Sequence, residues 1–133
     1  ETMENKEDVE RLEKLIGQLQ GLYLEIGALA KKSPSDAVNF FKLKLINKVL
    51  ATGNEVLGDK YKPFDEFDQF DSDDAPSTSD VTMIVALYLE EVERFRSDNV
   101  IFNETSGNYG WRYVVGGKAS NIPSKPPTKS GRK

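Results

Sequence analysis

Residues 7 to 31 constrain this chain more than any other stretch. Val9, Leu12, Ile16, Leu19, Tyr23, Ile26 and Ala30 recur at alternating spacings of three and four, the pattern of a helix seam, and Leu15, Leu22 and Leu29 widen the stripe to one side. A stripe that broad predicts a helix contacted by two neighbours. Gly17, Gly21 and Gly27 interrupt it, at about 1 kcal/mol each relative to alanine. They read either as points of close helix approach or as tolerated gaps.

KKSPSDAV ends this helix and starts another. Lys31 and Lys32 suit a helix C-terminus, Ser33 or Ser35 can cap a new start, and Pro34 fits a first turn. The second helix is expected over about residues 35 to 57. Val38, Phe41, Leu45, Val49 and Val56 make one row and Phe40, Leu43, Ile46, Leu50 and Leu57 another, with Gly58 placed to stop it. A third helix is expected over 79 to 98, capped by Ser79 or Asp80; VTMIVALYL is apolar nearly all round and is expected to be the most buried segment of the chain.

The predicted fold is mainly α: a small three-helix bundle, made of an antiparallel helical hairpin and a third helix, with a short C-terminal β-hairpin and an extended basic tail. Residues 1 to 99 form the helical part, 100 to 116 the hairpin and 117 to 133 a flexible tail. At 133 residues one core is the default.

The connection from 59 to 78 is longer than compact domains ordinarily use. Within it, KPFDEFDQFDSDD sets Phe64, Phe67 and Phe70 three apart, each followed by Asp65, Asp68 or Asp71, with Asp73 and Asp74 close behind. Spacing of three puts the rings on one face of a short helical or 3₁₀ turn and the carboxylates on the next. One reading has the rings plug the open side of the helices while the carboxylates stay in water. The other has the segment form an acidic docking surface, some rings serving as anchors, for a basic partner. The basic tail of this chain or of a second copy is one candidate for that partner. Calcium is a poor match, because the segment has no glycine and no distant glutamate in EF-hand register.

Residues 100 to 116 read as two short strands around TSGN, with Tyr109, Trp111, Tyr113 and Val115 alternating against Arg112 and Val114. Such an aromatic row either packs on the helices or stacks bases. All 22 acidic side chains lie at or before Glu104, together with 12 of the 18 basic ones, so residues 1 to 104 carry −10 and the remainder +6. Lys118, Lys125, Lys129, Arg132 and Lys133 therefore sit in a Gly-, Ser- and Pro-rich segment that attracts polyanions. With Trp111, Arg112 and Tyr113 they form the candidate set for nucleic-acid binding.

The chain has neither cysteine nor histidine. This removes thiolate metal sites, a cysteine nucleophile and the commonest general base near neutral pH. The glutamates at 7, 10 and 13 and at 90, 91 and 93 have the spacing of solvated helix faces, with Arg94 as an ordinary surface partner. GGK at 116 to 118 lacks the spacing of a nucleotide loop. No apolar run reaches membrane-spanning length and the first residues are charged, which together predict a cytoplasmic location. The expectation is a noncatalytic protein that binds another protein or a second copy of itself, with no cofactor, no metal and no membrane contact. Nucleic-acid binding through the C-terminal residues is the alternative.

Overall fold

Three polar caps start the three helices. Asn5 Oδ1 accepts the Asp8 N–H at 2.9 Å and opens α1 (Lys6–Lys32); Asn39 Oδ1 accepts that of Lys42 at 2.8 Å and opens α2 (Phe40–Tyr61). Ser77 Oγ accepts from Asp80 N at 3.1 Å and opens α3 (Thr78–Asp98). Each cap satisfies a first-turn amide that has no helical partner, for about 1 kcal/mol. The computed structural model describes residues 2–131.

The second helix begins later than its sequence suggests because residues 33 to 38 have other partners. Val38 N donates to the Pro76 carbonyl at 3.0 Å, Thr78 N to that of Asp36 at 2.9 Å, and Thr78 Oγ1 to that of Ser33 at 2.7 Å. Ala37 and Ser77 form an isolated antiparallel bridge. The loop after α1 is thus laced to the start of α3, and the caps fall at Asn39 instead of Ser33 or Ser35 and at Ser77 instead of Ser79 or Asp80. Gly58 acts as expected: its φ of 63° breaks the helical path, although hydrogen bonding continues to Tyr61.

Arg11 pairs with Glu55, and Lys42 Nζ lies 2.7 Å from Glu25, so α1 and α2 run in opposite directions. These pairs are exposed and contribute little energy. The core does the holding. Leu12, Leu15, Leu19 and Ile26 of α1 meet Leu43, Ile46, Leu50 and Leu57 of α2 and Val81, Val85, Tyr88, Val92 and Phe95 of α3 in one cluster. Each buried aliphatic contributes roughly 1.5–3 kcal/mol relative to exposure. On α1 the inward row is Leu12, Leu15, Leu19, Leu22, Ile26 and Leu29, and Tyr23 has turned outward to 43 % exposure. A repeat of 3.6 drifts across a seven-residue seam by about 20° per heptad, which moves the row sideways over this length.

Gly53 is the glycine that permits close approach: a Cβ there would lie 3.3 Å from Tyr88 Cδ2. Gly17 and Gly21 have nothing within 4 Å of that position and are tolerated gaps.

The expectation that the first half of α3 is the most buried stretch is corrected. Met83 and Leu87 are exposed, whereas Phe95 through Val100 are buried without interruption. The cause is the chain beyond the helix: Val100 and Tyr113 of a small sheet join the core, and the segment after the sheet lies against Arg96 and Ser97. Strands β1 (Val100–Asn103), β2 (Gly110–Val115) and β3 (Lys118–Pro123) are antiparallel in the order β1-β2-β3 and close over the end of α3.

The two-stranded hairpin is therefore a three-stranded meander. Val100 faces Tyr113 and Phe102 faces Trp111 across β1 and β2, while Val115 faces Lys118 at the start of β3. Gly116 and Gly117, both at positive φ, make the two-residue turn between β2 and β3. Residues 118 to 123 thus belong to the sheet and not to the segment beyond it. No helix of the described residues is long and apolar enough to cross a membrane.

Candidate functional site

After Gly58 breaks α2, Pro63 prevents the helix from resuming, and residues 62 to 71 run back along α2 as a strap. The helical turn expected at the three phenylalanines is absent; 64 to 70 are irregular, and a 3₁₀ turn, Ser72–Asp74, follows the strap. Side chains of α2 fix the path instead. Asn47 Nδ2 donates to the Phe70 carbonyl and its Oδ1 accepts the Phe70 N–H, both at 2.9 Å. Two helical turns on, Asn54 Nδ2 donates to the Asp68 carbonyl at 3.0 Å, and its Oδ1 accepts from Tyr88 Oη at 2.7 Å. Burial raises the Tyr88 pKa, and the bond to Asn54 only partly offsets this.

Phe64, Phe67 and Phe70 are half-buried and packed on the core, with edge-to-face contacts at 6.0 Å between the first two rings and 5.1 Å between the last two. Asp65, Asp68, Asp71, Asp73 and Asp74 are exposed. None of the five forms an ion pair among the described residues, and Asp71 uses its side chain to accept the Asp73 N–H at 2.9 Å. The rings therefore plug the helices and the carboxylates form a charged rail.

A cleft of about 640 Å³ lies beside this rail. Phe40, Lys44, Asn47 and Lys48 of α2 form one wall and Gln69 to Ser72 of the strap the other. Phe40 is 70 % exposed and the adjoining Phe41 68 %, although both fall in apolar rows of the α2 pattern. Lacing residues 33 to 38 to α3 starts the helix at Phe40, and its first turn places Leu43 in the core with Phe40 and Phe41 facing outward. Periodicity alone could not separate these two rings from Leu43 and Ile46.

No protein-family model, curated protein or solved structure matches this chain. The arrangement of its own side chains therefore carries the functional reading.

The second set of candidate residues is not assembled as a binding surface. Tyr113 is buried, with Oη donating to Glu13 at 3.3 Å, and burial followed by the Glu13 charge raises its pKa. Arg112 is turned back on its own hairpin, bonding Asn108 Oδ1 at 2.6 Å and the carbonyls of Trp111 and Tyr109 at 2.8 Å. Trp111 is half-buried, with Phe102 edge-on to it at 5.4 Å and to Tyr109 at 5.1 Å. Lys118 and Lys125 are exposed. Lys129 pairs with Glu90 at 2.9 Å, and this contact lowers the Glu90 pKa. Arg132 and Lys133 lie outside the described residues.

The polar cluster at the end of α3 was not legible as a site. Arg96 is buried and meets Glu93 through Nε at 2.8 Å and Nη2 at 2.7 Å. Burial disfavours the Glu93 carboxylate, but hydrogen bonds from Arg96 and Thr128 outweigh it and hold the pKa below the usual range. The bond to Glu93 raises that of Arg96. An i,i+3 Glu–Arg pair on a helix signals an ordinary surface contact; only the sheet and the segment after β3 bury this one. Asp98 in the same region accepts a hydrogen bond from Tyr61 Oη. Among the described residues no three Asp or Glu side chains converge as metal ligands do.

Proposed function

We propose that this chain is a noncatalytic protein-interaction protein, an accessory subunit, adaptor or inhibitor, that docks a partner on the α2–strap cleft. The observation that carries the reading is exposed Phe40 on one wall of a cleft whose other wall holds Asp71 of the exposed carboxylate rail, with exposed Phe41 adjoining it in sequence. An exposed ring gives an apolar anchor, and the acidic strap facing Lys44 and Lys48 across the cleft gives a charge pattern that orients a partner. The partner to expect presents basic side chains around an apolar pocket. In this reading the three helices act as a rigid bundle that displays the strap, and the cysteine-free chain works in a reducing cytoplasm.

The test is affinity capture from the source cell with the wild-type chain, with Phe40→Ser/Phe41→Ser and with Asp65→Asn/Asp68→Asn/Asp71→Asn. A nuclease-resistant protein partner retained by wild type and lost from both variants supports the reading. Equal retention by all three chains would sink it. The nucleic-acid alternative has less behind it, since Tyr113 is buried, Arg112 bonds its own hairpin and Lys129 is paired with Glu90. Nucleic acid recovered at low salt and released at high salt would favour that alternative.

A further inference from the structure

The residues after β3 are held as proteins hold an extended peptide. Arg96 is 1 % exposed, and each of its five N–H donors has an acceptor. Two bonds go to Glu93. The other three go to consecutive residues of the C-terminal segment: Nη1 to Ser124 Oγ at 2.7 Å and to the Lys125 carbonyl at 2.9 Å, and Nη2 to the Pro126 carbonyl at 2.8 Å. Ser97 Oγ accepts the amides of Thr128 at 3.1 Å and Lys129 at 3.3 Å. Thr128 Oγ1 donates to Glu93, and Arg94 Nη1 donates to the Ser130 carbonyl at 2.7 Å. Beneath Lys125 and Thr128 the groove floor is Ile16 of α1 with Leu89 and Val92 of α3.

This segment behaves as a ligand and not as part of the core. Residues 124 to 130 join no helix or strand, and none is buried. Their contacts are mostly backbone groups read by α3 side chains, and Pro126 and Pro127 preset an extended path that has few amides of its own to satisfy. The hydrogen bonds are only part-buried or exposed, and a segment with no buried residue opens at lower free-energy cost than the core. We propose that the α1–α3 groove around Arg96 is a peptide-binding site, occupied here by the chain's own residues 124–130, that also takes the same segment from a second copy of this chain. It is separate from the α2–strap cleft and uses none of its residues. Within one chain the segment competes at an effective concentration in the millimolar range, so exchange between copies emerges as protein concentration rises.

The experiment uses full-length protein and a fluorescent synthetic peptide of residues 123–131. In Thr128→Glu/Lys129→Glu the resident segment carries two carboxylates facing Glu90 and Glu93 and should leave the groove. That variant is expected to bind the peptide at least tenfold more tightly than wild type, and adding Arg96→Lys should remove the gain. A cooperatively folded variant that binds no better than wild type, or that binds a scrambled peptide equally, overturns the proposal. Should the variant fold poorly, wild type still decides the matter. Excess unlabelled peptide must accelerate hydrogen exchange at the chain's own Thr128 and Lys129 amides, and unchanged protection in millimolar peptide overturns it.

Discussion

Asn47 holds Phe70 by both sides of its backbone, donating to the carbonyl and accepting from the amide at 2.9 Å each. One side chain on α2 thereby replaces the ladder partner that an irregular segment lacks, and a strap with no secondary structure keeps one register. Asn54 donates to the Asp68 carbonyl alone and gives its oxygen to the Tyr88 hydroxyl, so strap, α2 and α3 meet at a single amide.

Removing that bracket should loosen the strap without dissolving the helices. Asn47→Ala leaves a half-buried donor and acceptor unmatched, for a loss of roughly 1 to 3 kcal/mol. Urea unfolding should show the lower stability, and hydrogen exchange at the Phe70 amide should quicken more than at amides inside α1. Equal change at both would mean that Asn47 supports the whole fold and not the strap.

The glycines of α1 and α2 make opposite predictions. Gly21 is exposed with open space around it, so Gly21→Ala should stabilise the chain by up to about 1 kcal/mol through helix propensity. Gly53→Ala gains the same propensity but drives a methyl to 3.3 Å from the Tyr88 ring. That ring is fully buried and tethered through Asn54, so it cannot retreat and the net effect should be destabilising. Thermal melts of the two single variants decide the signs.

These cases mark where the sequence is legible. The inward row of α1, the stop at Gly58 and the exposure of the aspartates follow from periodicity, φ preference and charge, which are local properties. The bracketing by Asn47, the exposure of Phe40 and Phe41 and the burial of Arg96 depend on segments distant in the chain, and a polar residue on a helix carries no mark of its eventual partner. The third strand is an intermediate case. VVGGKAS contains a Gly-Gly hairpin turn between a strand and its return, but the basic, proline-rich composition around it suggests a tail.

Acid should weaken the clasp at the end of α3. The Glu93 pKa lies below its unfolded value, so the folded state binds fewer protons there. The associated stability is fully present above the ordinary glutamate range near pH 4.5 and is lost as pH falls through the depressed folded value. Glu93→Gln should flatten that part of the stability–pH curve and lower stability at pH 7. A curve parallel to wild type between pH 6 and pH 3 would show that Glu93 is not the group responsible.

Phe40 and Phe41 separate stability from recognition. Both rings remain about two-thirds in water, so Phe40→Ser/Phe41→Ser should change unfolding free energy by no more than about 0.5 kcal/mol per site, as surface substitutions do. The same change removes the exposed Phe40 ring that lines the α2–strap cleft and the exposed ring next to it in sequence, and truncation of an interface anchor typically costs more than about 1 kcal/mol. The double variant should therefore melt within a few degrees of wild type while its affinity for a captured partner falls at least tenfold. A large drop in melting temperature would instead place these rings in the fold, and the cleft would then lose the apolar anchor on which its role depends.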